Sequence, residues 1–133
     1  MSLKTRLLFD THAFLAFFNR EEGSETIKNL MDAIQNGDKE GFVATITLTE
    51  LAYIYSRKLD EASATLRAMQ VLHSKLNAIP LSPEIAIHAG TLKCPGISVA
   101  DAIVAATALS VGASVVTNDP HFSGMGVDVS GYP

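Results

Sequence analysis

Short apolar runs alternate with segments of helical periodicity along this chain. The first run, Arg6-Leu7-Leu8-Phe9, is followed at once by Asp10. Pro80 lies within another run, AIPL, and favours an edge position there because proline has no amide hydrogen to donate to a neighbouring strand. The segments predicted as strands are 6–9, 41–46, 78–81, 114–117 and, as a final edge strand, 127–129.

The segments between these runs have the three- and four-residue spacing of amphipathic helices. Apolar residues occupy positions i, i+3, i+4 and i+7 of the segment 27–34, and Asn36-Gly37 ends that helix. The segment 98–111 is apolar on nearly all sides, which predicts a buried helix ending at Gly112. Further helices are predicted at 11–18, 51–59, 66–76 and from Ser82 onward. This alternation predicts an α/β fold with a mainly parallel sheet and helices on both faces.

Length and composition favour one globular domain over residues 1–133. The chain is 47% hydrophobic and 18% charged, which is typical of a folded domain. No run of 18 apolar residues occurs and the N-terminal apolar run is too short for a signal peptide, so we expect no membrane span. The single cysteine, Cys94, lies in a predicted loop and suits a reducing compartment. No glycine-rich phosphate-binding motif of the P-loop or Rossmann type is present.

Four acids fall where the predicted parallel strands end. Asp10 follows the first strand and Asp119 follows the fourth, whereas Glu50 and Asp101 are expected in the first turns of two helices. Sites in open parallel sheets form beyond the carboxyl ends of the strands. Small residues, Ala105 among them, follow Asp101 along its helix and leave its carboxylate uncovered. The arrangement predicts a site for a hard divalent cation, which prefers oxygen ligands.

Each acid also has a purely structural interpretation. Asp10 is a suitable N-cap for the helix 11–18, and Asp119 before Pro120 suits a turn. The segments 47–50 and 98–101 both match a capping box. The joint placement of the four acids at one edge favours the metal site.

The overall charge is relevant to the choice of partner. The net charge is −4, from 14 acidic and 10 basic residues, and this counts against a partner bound through phosphates. The four candidate metal ligands account for the whole acidic excess, so the rest of the chain is neutral. Basic residues that could contact nucleic acid, or simply form a solvated helix surface, are Arg57, Lys58, Arg67 and Lys75.

Four motifs, in this order, resemble those of PIN domains. Leu7-Leu8-Phe9-Asp10-Thr11-His12 resembles the opening of the family, and Thr47-Leu48-Thr49-Glu50-Leu51 resembles its second acidic motif. Ser98-Val99-Ala100-Asp101-Ala102 is similar to the third, in which Asp-Ala opens a helix of small residues. The segment 115–122, VVTNDPHF, resembles the fourth. The ordered set spans nearly the whole chain and is more specific than any single motif.

The resemblance implies a PIN-like three-layer sandwich and a metal-dependent endoribonuclease, nearest in length to the VapC toxins of prokaryotic toxin–antitoxin pairs. It implies Mg²⁺ or Mn²⁺ as cofactor, an RNA substrate, a cognate antitoxin, a cytoplasmic location and often a homodimer. The implied catalytic residues are four metal-binding acids and one threonine that hydrogen bonds among them: Asp10, Glu50, Asp101, Asp119 and Thr117. Thr11 has the same implied role as Thr117.

Other interpretations remain open at the level of sequence. A catalytically inactive PIN-like module that binds a protein partner fits the near-neutral composition outside the acids. A receiver-like phosphoacceptor domain is disfavoured, since the middle strands supply no acceptor aspartate and the last core strand lacks a lysine. The aromatic residues Phe14, Phe17 and Phe18 are better explained by core or dimer packing than by stacking on bases. His12 and His121 adjoin the acids without forming the histidine cluster of a zinc site.

Overall fold

The structure is a computed structural model that describes residues 3–133 of the chain. Within this range the chain forms five β-strands, six α-helices and one 3₁₀-helix. The strands are β1 (Arg6–Phe9), β2 (Glu40–Ala44), β3 (Asn77–Ile79), β4 (Ser114–Val116) and β5 (Val129–Ser130). The helices are α1 (Thr11–Phe18), α2 (Ser24–Gln35), α3 (Thr45–Lys58), α4 (Glu61–Leu72), α5 (Pro83–Leu92) and α6 (Val99–Val111), and the 3₁₀-helix is Pro120–Met125.

The strands form one parallel sheet in the order β3-β2-β1-β4-β5. β1 is central, with Leu7 in register with Gly41 of β2 on one side and with Ser114 of β4 on the other. The strand order reverses between β1 and β4, and such a switch point is where open parallel sheets leave a crevice. Asp10 and Asp119 follow the two strands that border this crevice.

Side chains of alternate strand residues enter two separate hydrophobic clusters. Leu8 and Val115 pack with the helices α5 and α6 on one face of the sheet. Phe9 and Val116 pack with residues of the helices α1 to α4 on the other face. Helices therefore cover both faces of a parallel sheet, which confirms the predicted three-layer α/β architecture. Phe14, at 1% exposure, lies in the second cluster, as core packing of the α1 aromatics predicts.

Gly41 shows how closely the helical layer approaches the sheet. An added Cβ atom would contact Leu76 Cδ2 and would lie 2.6 Å from Ile34 Cδ1. Ile34 belongs to α2, so glycine at this strand position lets that helix pack directly on β2. No helix in residues 3–133 is both long and apolar enough to cross a membrane.

Several predicted boundaries differ from the structure. The strand predicted at 41–46 ends at Ala44, because Thr45 and Ile46, although β-branched, begin α3. The capping box predicted at 47–50 is therefore wrong. Ala44 is the N-cap and makes no side-chain cap bond, and Glu50 is the sixth residue of α3 rather than a first-turn residue.

The second half of the chain shows smaller differences. The helix predicted at 66–76 begins at Glu61, with Asp60 as N-cap, and ends at Leu72, so that residue 76 lies outside it. The two edge strands are shifted by one or two residues, since β3 is Asn77–Ile79 and β5 is Val129–Ser130. The predicted turn at 118–120 leads into the 3₁₀-helix, which the apolar pattern did not indicate.

Candidate active site

The four candidate acids occupy the edge of the sheet at which the parallel strands end. Asp10 follows β1 directly and is the N-cap of α1, and Asp119 follows β4 and is the N-cap of the 3₁₀-helix. Asp101 is the third residue of α6, whose N-cap is Ser98, as the sequence predicts. Glu50 lies in the second turn of α3.

Asp10 is the most buried of the four acids, with 3% of its surface exposed. Its Oδ1 atom accepts a hydrogen bond of 2.7 Å from the Ala13 amide, which caps α1. Its Oδ2 atom is buried and has no hydrogen-bond partner among the described residues. Burial raises the pKa of Asp10, and the negative charge of Asp101 adds to this, although Thr117, Ala13 and His12 act in the opposite direction. The folded chain thus holds a carboxylate whose charge is incompletely compensated.

Thr11 connects α1 to the acid on α3. Its hydroxyl donates a hydrogen bond of 2.6 Å to Glu50 Oε1, across 39 residues of sequence. Thr11 is itself buried and adjacent to Asp10, so the bond fixes the Glu50 carboxylate beside the end of β1. A hydrogen bond from a neutral hydroxyl orients the carboxylate without neutralising it.

Thr117 makes the corresponding connection at the end of β4. Its buried side-chain oxygen accepts a hydrogen bond of 3.0 Å from the Asp119 amide, and the same side chain lowers the pKa of Asp10. Asp119 Oδ1 accepts bonds from the His121 amide at 2.9 Å and, with a protonated Nδ1, from the His121 ring at 2.7 Å. Partial burial acts to raise the pKa of Asp119, but the bonds and charge of His121 outweigh it and lower that pKa.

The donor set suits a hard cation, although the side chains as placed do not form a complete ligand cage. Within residues 3–133 no three Asp, Glu, His or Cys side chains lie close enough together to hold a metal ion. The buried, unpartnered Oδ2 atom of Asp10 nevertheless provides a carboxylate oxygen free for a ligand. The charge of Asp101 acts on the same group. A divalent cation here would relieve the repulsion between these carboxylates.

A pocket of about 450 Å³ adjoins this edge and includes Asp119 but not the other three acids. His12 and Lys58 lie in its wall, so one of the basic residues considered from sequence reaches the site. Arg67 instead lies over the ring of Phe18, 4.8 Å from its centroid, in the aromatic group of α1.

Two further residues of this pocket were not identified from the sequence. They are Asn118 and Tyr132. The side chain of Asn118 is hydrogen bonded to the backbone of Tyr132. Asn118 stands between two predicted site residues, which is the only local signal for it. Tyr132 is 14 residues away in sequence, and no periodicity connects it with the acids.

The fold is similar to that of solved toxin–antitoxin proteins. VapBC2 from Rickettsia felis, solved bound to a DNA fragment from its promoter, aligns with a TM-score of 0.79 at 18% identity, over 97% of this chain and 100% of that one. DNA-bound VapBC from Salmonella typhimurium aligns with a TM-score of 0.73 at 24% identity, over 97% and 99% of the two chains.

A third similar structure is that of a toxin that cleaves RNA. VapC20 from Mycobacterium tuberculosis, a toxin that cleaves the sarcin–ricin loop, aligns with a TM-score of 0.72 at 16% identity, over 91% of this chain and 95% of that one. No curated protein sequence matches the chain. The family model of the PIN domain matches residues 7–127, a span that contains all four acids. The chain therefore belongs to the PIN domain family.

Proposed function

We propose that this chain is a metal-dependent endoribonuclease that hydrolyses RNA phosphodiester bonds, as the toxin of a VapBC-type pair. The observation that carries the proposal is the buried Asp10 carboxylate at the switch point of a PIN fold. Its Oδ2 atom has no hydrogen-bond partner among the described residues, and the charge of Asp101 raises its pKa further. A carboxylate in this state is expected to bind a cation.

The proposed metal ligands are the four acids at the end of the sheet, Asp10, Glu50, Asp101 and Asp119. When bound, Mg²⁺ or Mn²⁺ supplies a water of lowered pKa and stabilises negative charge on a phosphate. The chain's own residues set the geometry: Thr11 holds Glu50 through a 2.6 Å bond, and Thr117 holds the Asp119 amide at 3.0 Å. These two threonines act as positioning residues through neutral hydrogen bonds: Thr11 orients the Glu50 carboxylate, and Thr117 holds the backbone of the turn that carries Asp119.

The proposed partners are suggested by the family and by the solved structures of similar fold. VapBC complexes are among the similar structures, so we propose a cognate antitoxin for this chain. We further propose an RNA substrate, because VapC20 is described as a toxin that cleaves the sarcin–ricin loop. A homodimer and a cytoplasmic location complete the proposal, with C₂ symmetry as the default for a dimer.

The proposal is tested by cleavage of a mixed pool of single-stranded and structured RNA. Wild-type protein is compared in Mg²⁺, in Mn²⁺ and in EDTA with Asp101→Asn, which removes one charge at the site. Asp38→Asn is the matched control, because Asp38 lies on an exposed turn before β2. We expect cleavage that requires metal, is lost in Asp101→Asn and is kept in Asp38→Asn.

Binding of Mn²⁺, followed by electron paramagnetic resonance on the same proteins, gives a second readout. Cleavage that persists in EDTA or in Asp101→Asn would contradict the assigned site. A wild-type protein that neither binds Mn²⁺ nor cleaves any RNA in the pool would overturn the proposal in favour of a PIN-like protein-binding module. Weak or absent cleavage together with Mn²⁺ binding that Asp101→Asn abolishes would support the metal site and restrict the substrate to RNAs outside the pool.

A further inference from the structure

Asn118 and Tyr132 form a two-point contact beside the acidic site. Asn118 Nδ2 donates a hydrogen bond of 2.9 Å to the Tyr132 carbonyl, and the Tyr132 amide donates one of 2.8 Å to Asn118 Oδ1. The side-chain amide of one residue thus satisfies both backbone groups of the other. Two bonds in this arrangement fix the separation and the relative orientation of the two segments, which a single bond cannot do.

This contact continues the hydrogen bonding of the sheet past the end of its strands. The amide of Val115 donates to the Asp128 carbonyl at 2.9 Å, and the amide of Thr117 donates to the Ser130 carbonyl at 3.2 Å. The next pairing along the two segments is the Asn118 side chain with the Tyr132 backbone. The turn that carries Asp119 is thereby tied to the segment that follows β5.

Tyr132 is anchored by the helical layer rather than by solvent-exposed contacts. It is 5% exposed and belongs to the same hydrophobic cluster as Phe9. Gly23, the N-cap of α2, lies so close that an added Cβ atom would be 2.6 Å from the Tyr132 carbonyl oxygen and 2.8 Å from its ring. Tyr132 also lines the pocket that contains Asp119. The segment around Tyr132 is therefore a fixed support for groups that bind to it.

We propose that Asn118 and Tyr132 form a clamp that positions Asp119 for metal binding. This inference rests on the proposed function, because it assigns the clamp to a metal ligand. Asn118 directly precedes Asp119 in the chain, and Thr117 precedes Asn118. The Thr117 side-chain oxygen accepts a hydrogen bond from the Asp119 amide, so both residues before Asp119 hold the turn in place. Tyr132 acts through its backbone and through the packing of its ring, and its hydroxyl is not required for positioning.

The test compares four single variants by amide hydrogen exchange and by Mn²⁺ affinity. Asn118→Ala removes both clamp bonds, and Tyr132→Ala removes the ring that anchors the clamp. Tyr132→Phe keeps the ring and removes only the hydroxyl. Asn77→Ala is the control for a lost side-chain amide, since Asn77 Nδ2 donates to the Gly41 carbonyl at 3.4 Å on the opposite part of the sheet.

We expect Asn118→Ala and Tyr132→Ala to increase exchange at the Asp119 and His121 amides about tenfold or more, and to weaken Mn²⁺ binding about tenfold, as expected for groups that orient a metal ligand. Tyr132→Phe and Asn77→Ala should change neither quantity. The double variant Asn118→Ala/Tyr132→Ala should exchange at these amides little faster than either single variant, because both substitutions break one clamp.

Unchanged exchange at the Asp119 and His121 amides in Asn118→Ala would overturn the proposal, as would an equal loss of Mn²⁺ affinity in Asn77→Ala. If Tyr132→Ala does not fold, the comparison of amide exchange and Mn²⁺ affinity between Asn118→Ala and Asn77→Ala still tests the proposal. Faster exchange in a protein whose wild type binds no Mn²⁺ would refute the metal-binding part of the clamp's role together with the proposed function. Normal Mn²⁺ binding in the wild type with no effect of Asn118→Ala would refute the clamp alone.

Discussion

Replacing Asp10 by asparagine is expected to stabilise the protein without metal and to abolish its stabilisation by metal. Asparagine keeps the Oδ1 acceptor, so the 2.7 Å bond from the Ala13 amide is retained, and asparagine and aspartate are about equally good N-caps. The substitution therefore removes the buried charge and keeps the helix cap. The negative charge of Asp101, which contributes to the raised pKa of Asp10, also favours a neutral amide at this position.

The magnitude follows from the state of Asp10 Oδ2, which is buried and has no partner among the described residues. A buried polar atom left without a hydrogen bond costs about 1–3 kcal/mol, and a charged one costs more. The asparagine Nδ2 atom would occupy the same buried position, so the substitution removes only the additional cost of the charge. We therefore expect Asp10→Asn to raise the free energy of unfolding by about 1–2 kcal/mol at neutral pH without metal. With an unfolding entropy of about 2.1 cal/mol/K per residue, this corresponds to an increase of roughly 4–7 °C in the melting temperature.

The assay is thermal unfolding with and without Mn²⁺. Saturation at about 100 times the dissociation constant stabilises a binding protein by about 2.7 kcal/mol, so Mn²⁺ should reverse the order of the two proteins. Asp60→Asn is the matched control, because Asp60 Oδ1 also accepts a 2.7 Å cap bond, from the Ser63 amide, on an exposed helix start. This control should lack the metal-free stabilisation and should keep the full response to Mn²⁺.

The pH dependence of stability tests independently whether the charge of Asp10 destabilises the fold. Because burial raises the pKa of Asp10, the folded state binds that proton more tightly than the unfolded chain does. The charged form therefore destabilises the fold above the folded-state pKa, and this penalty disappears as the pH falls below the ordinary pKa of aspartate. The advantage of Asp10→Asn should shrink accordingly on acidification. A metal-free melting temperature below that of the wild type, or an equal response of both proteins to Mn²⁺, would refute the reasoning.

Three further substitutions test separate features of the structure. Gly41→Ala places a Cβ atom 2.6 Å from Ile34 Cδ1, so urea unfolding should show a loss of about 1–3 kcal/mol; an unchanged midpoint would contradict the close packing. Thr47→Val removes a buried hydroxyl that has no partner among the described residues, so the free energy of unfolding measured in urea should rise by about 1 kcal/mol or less. A clear decrease in that free energy would show that the hydroxyl makes a stabilising hydrogen bond. His121→Ala should raise the pKa of Asp119, followed by carbon-13 NMR titration, because it removes the ring from its 2.7 Å contact with Asp119; a constant pKa would show that this contact does not form in solution.

The fold could be predicted from the sequence because its layers follow from simple periodicities. β1 ends where Asp10 interrupts the apolar run. The segment 98–111 is apolar on nearly all sides, which predicts a buried helix, and seven consecutive residues of α6, 102 to 108, are buried. Ser98 and Gly112 mark its two ends, and the structure has both as caps. Such signals are local, so they require no knowledge of the tertiary contacts.

The errors arose where two local signals conflict. Thr45 and Ile46 are β-branched and continue the apolar run of β2, yet they begin α3, because tertiary packing outweighs their strand propensity. The shift moved Thr47 from a predicted cap into the helix interior, where its side chain is fully buried. The Asn118–Tyr132 clamp had no sequence signal, since it depends on the pairing of β4 with β5.

The pattern of hydrogen bonds favours the proposed metal site over a purely structural group of acids. Buried acids with a purely structural role are usually paired with Lys or Arg, because an unpaired charge in the interior is costly. Among the described residues Lys and Arg form salt bridges with Glu40 and Asp32, and with none of the four acids. Thr11 instead orients the Glu50 carboxylate and leaves its charge in place. Thr117 holds the backbone amide of Asp119, whose carboxylate accepts hydrogen bonds from the backbone and the titratable ring of His121. The site therefore keeps a negative potential that the fold itself does not neutralise, and the binding of a cation is the expected consequence.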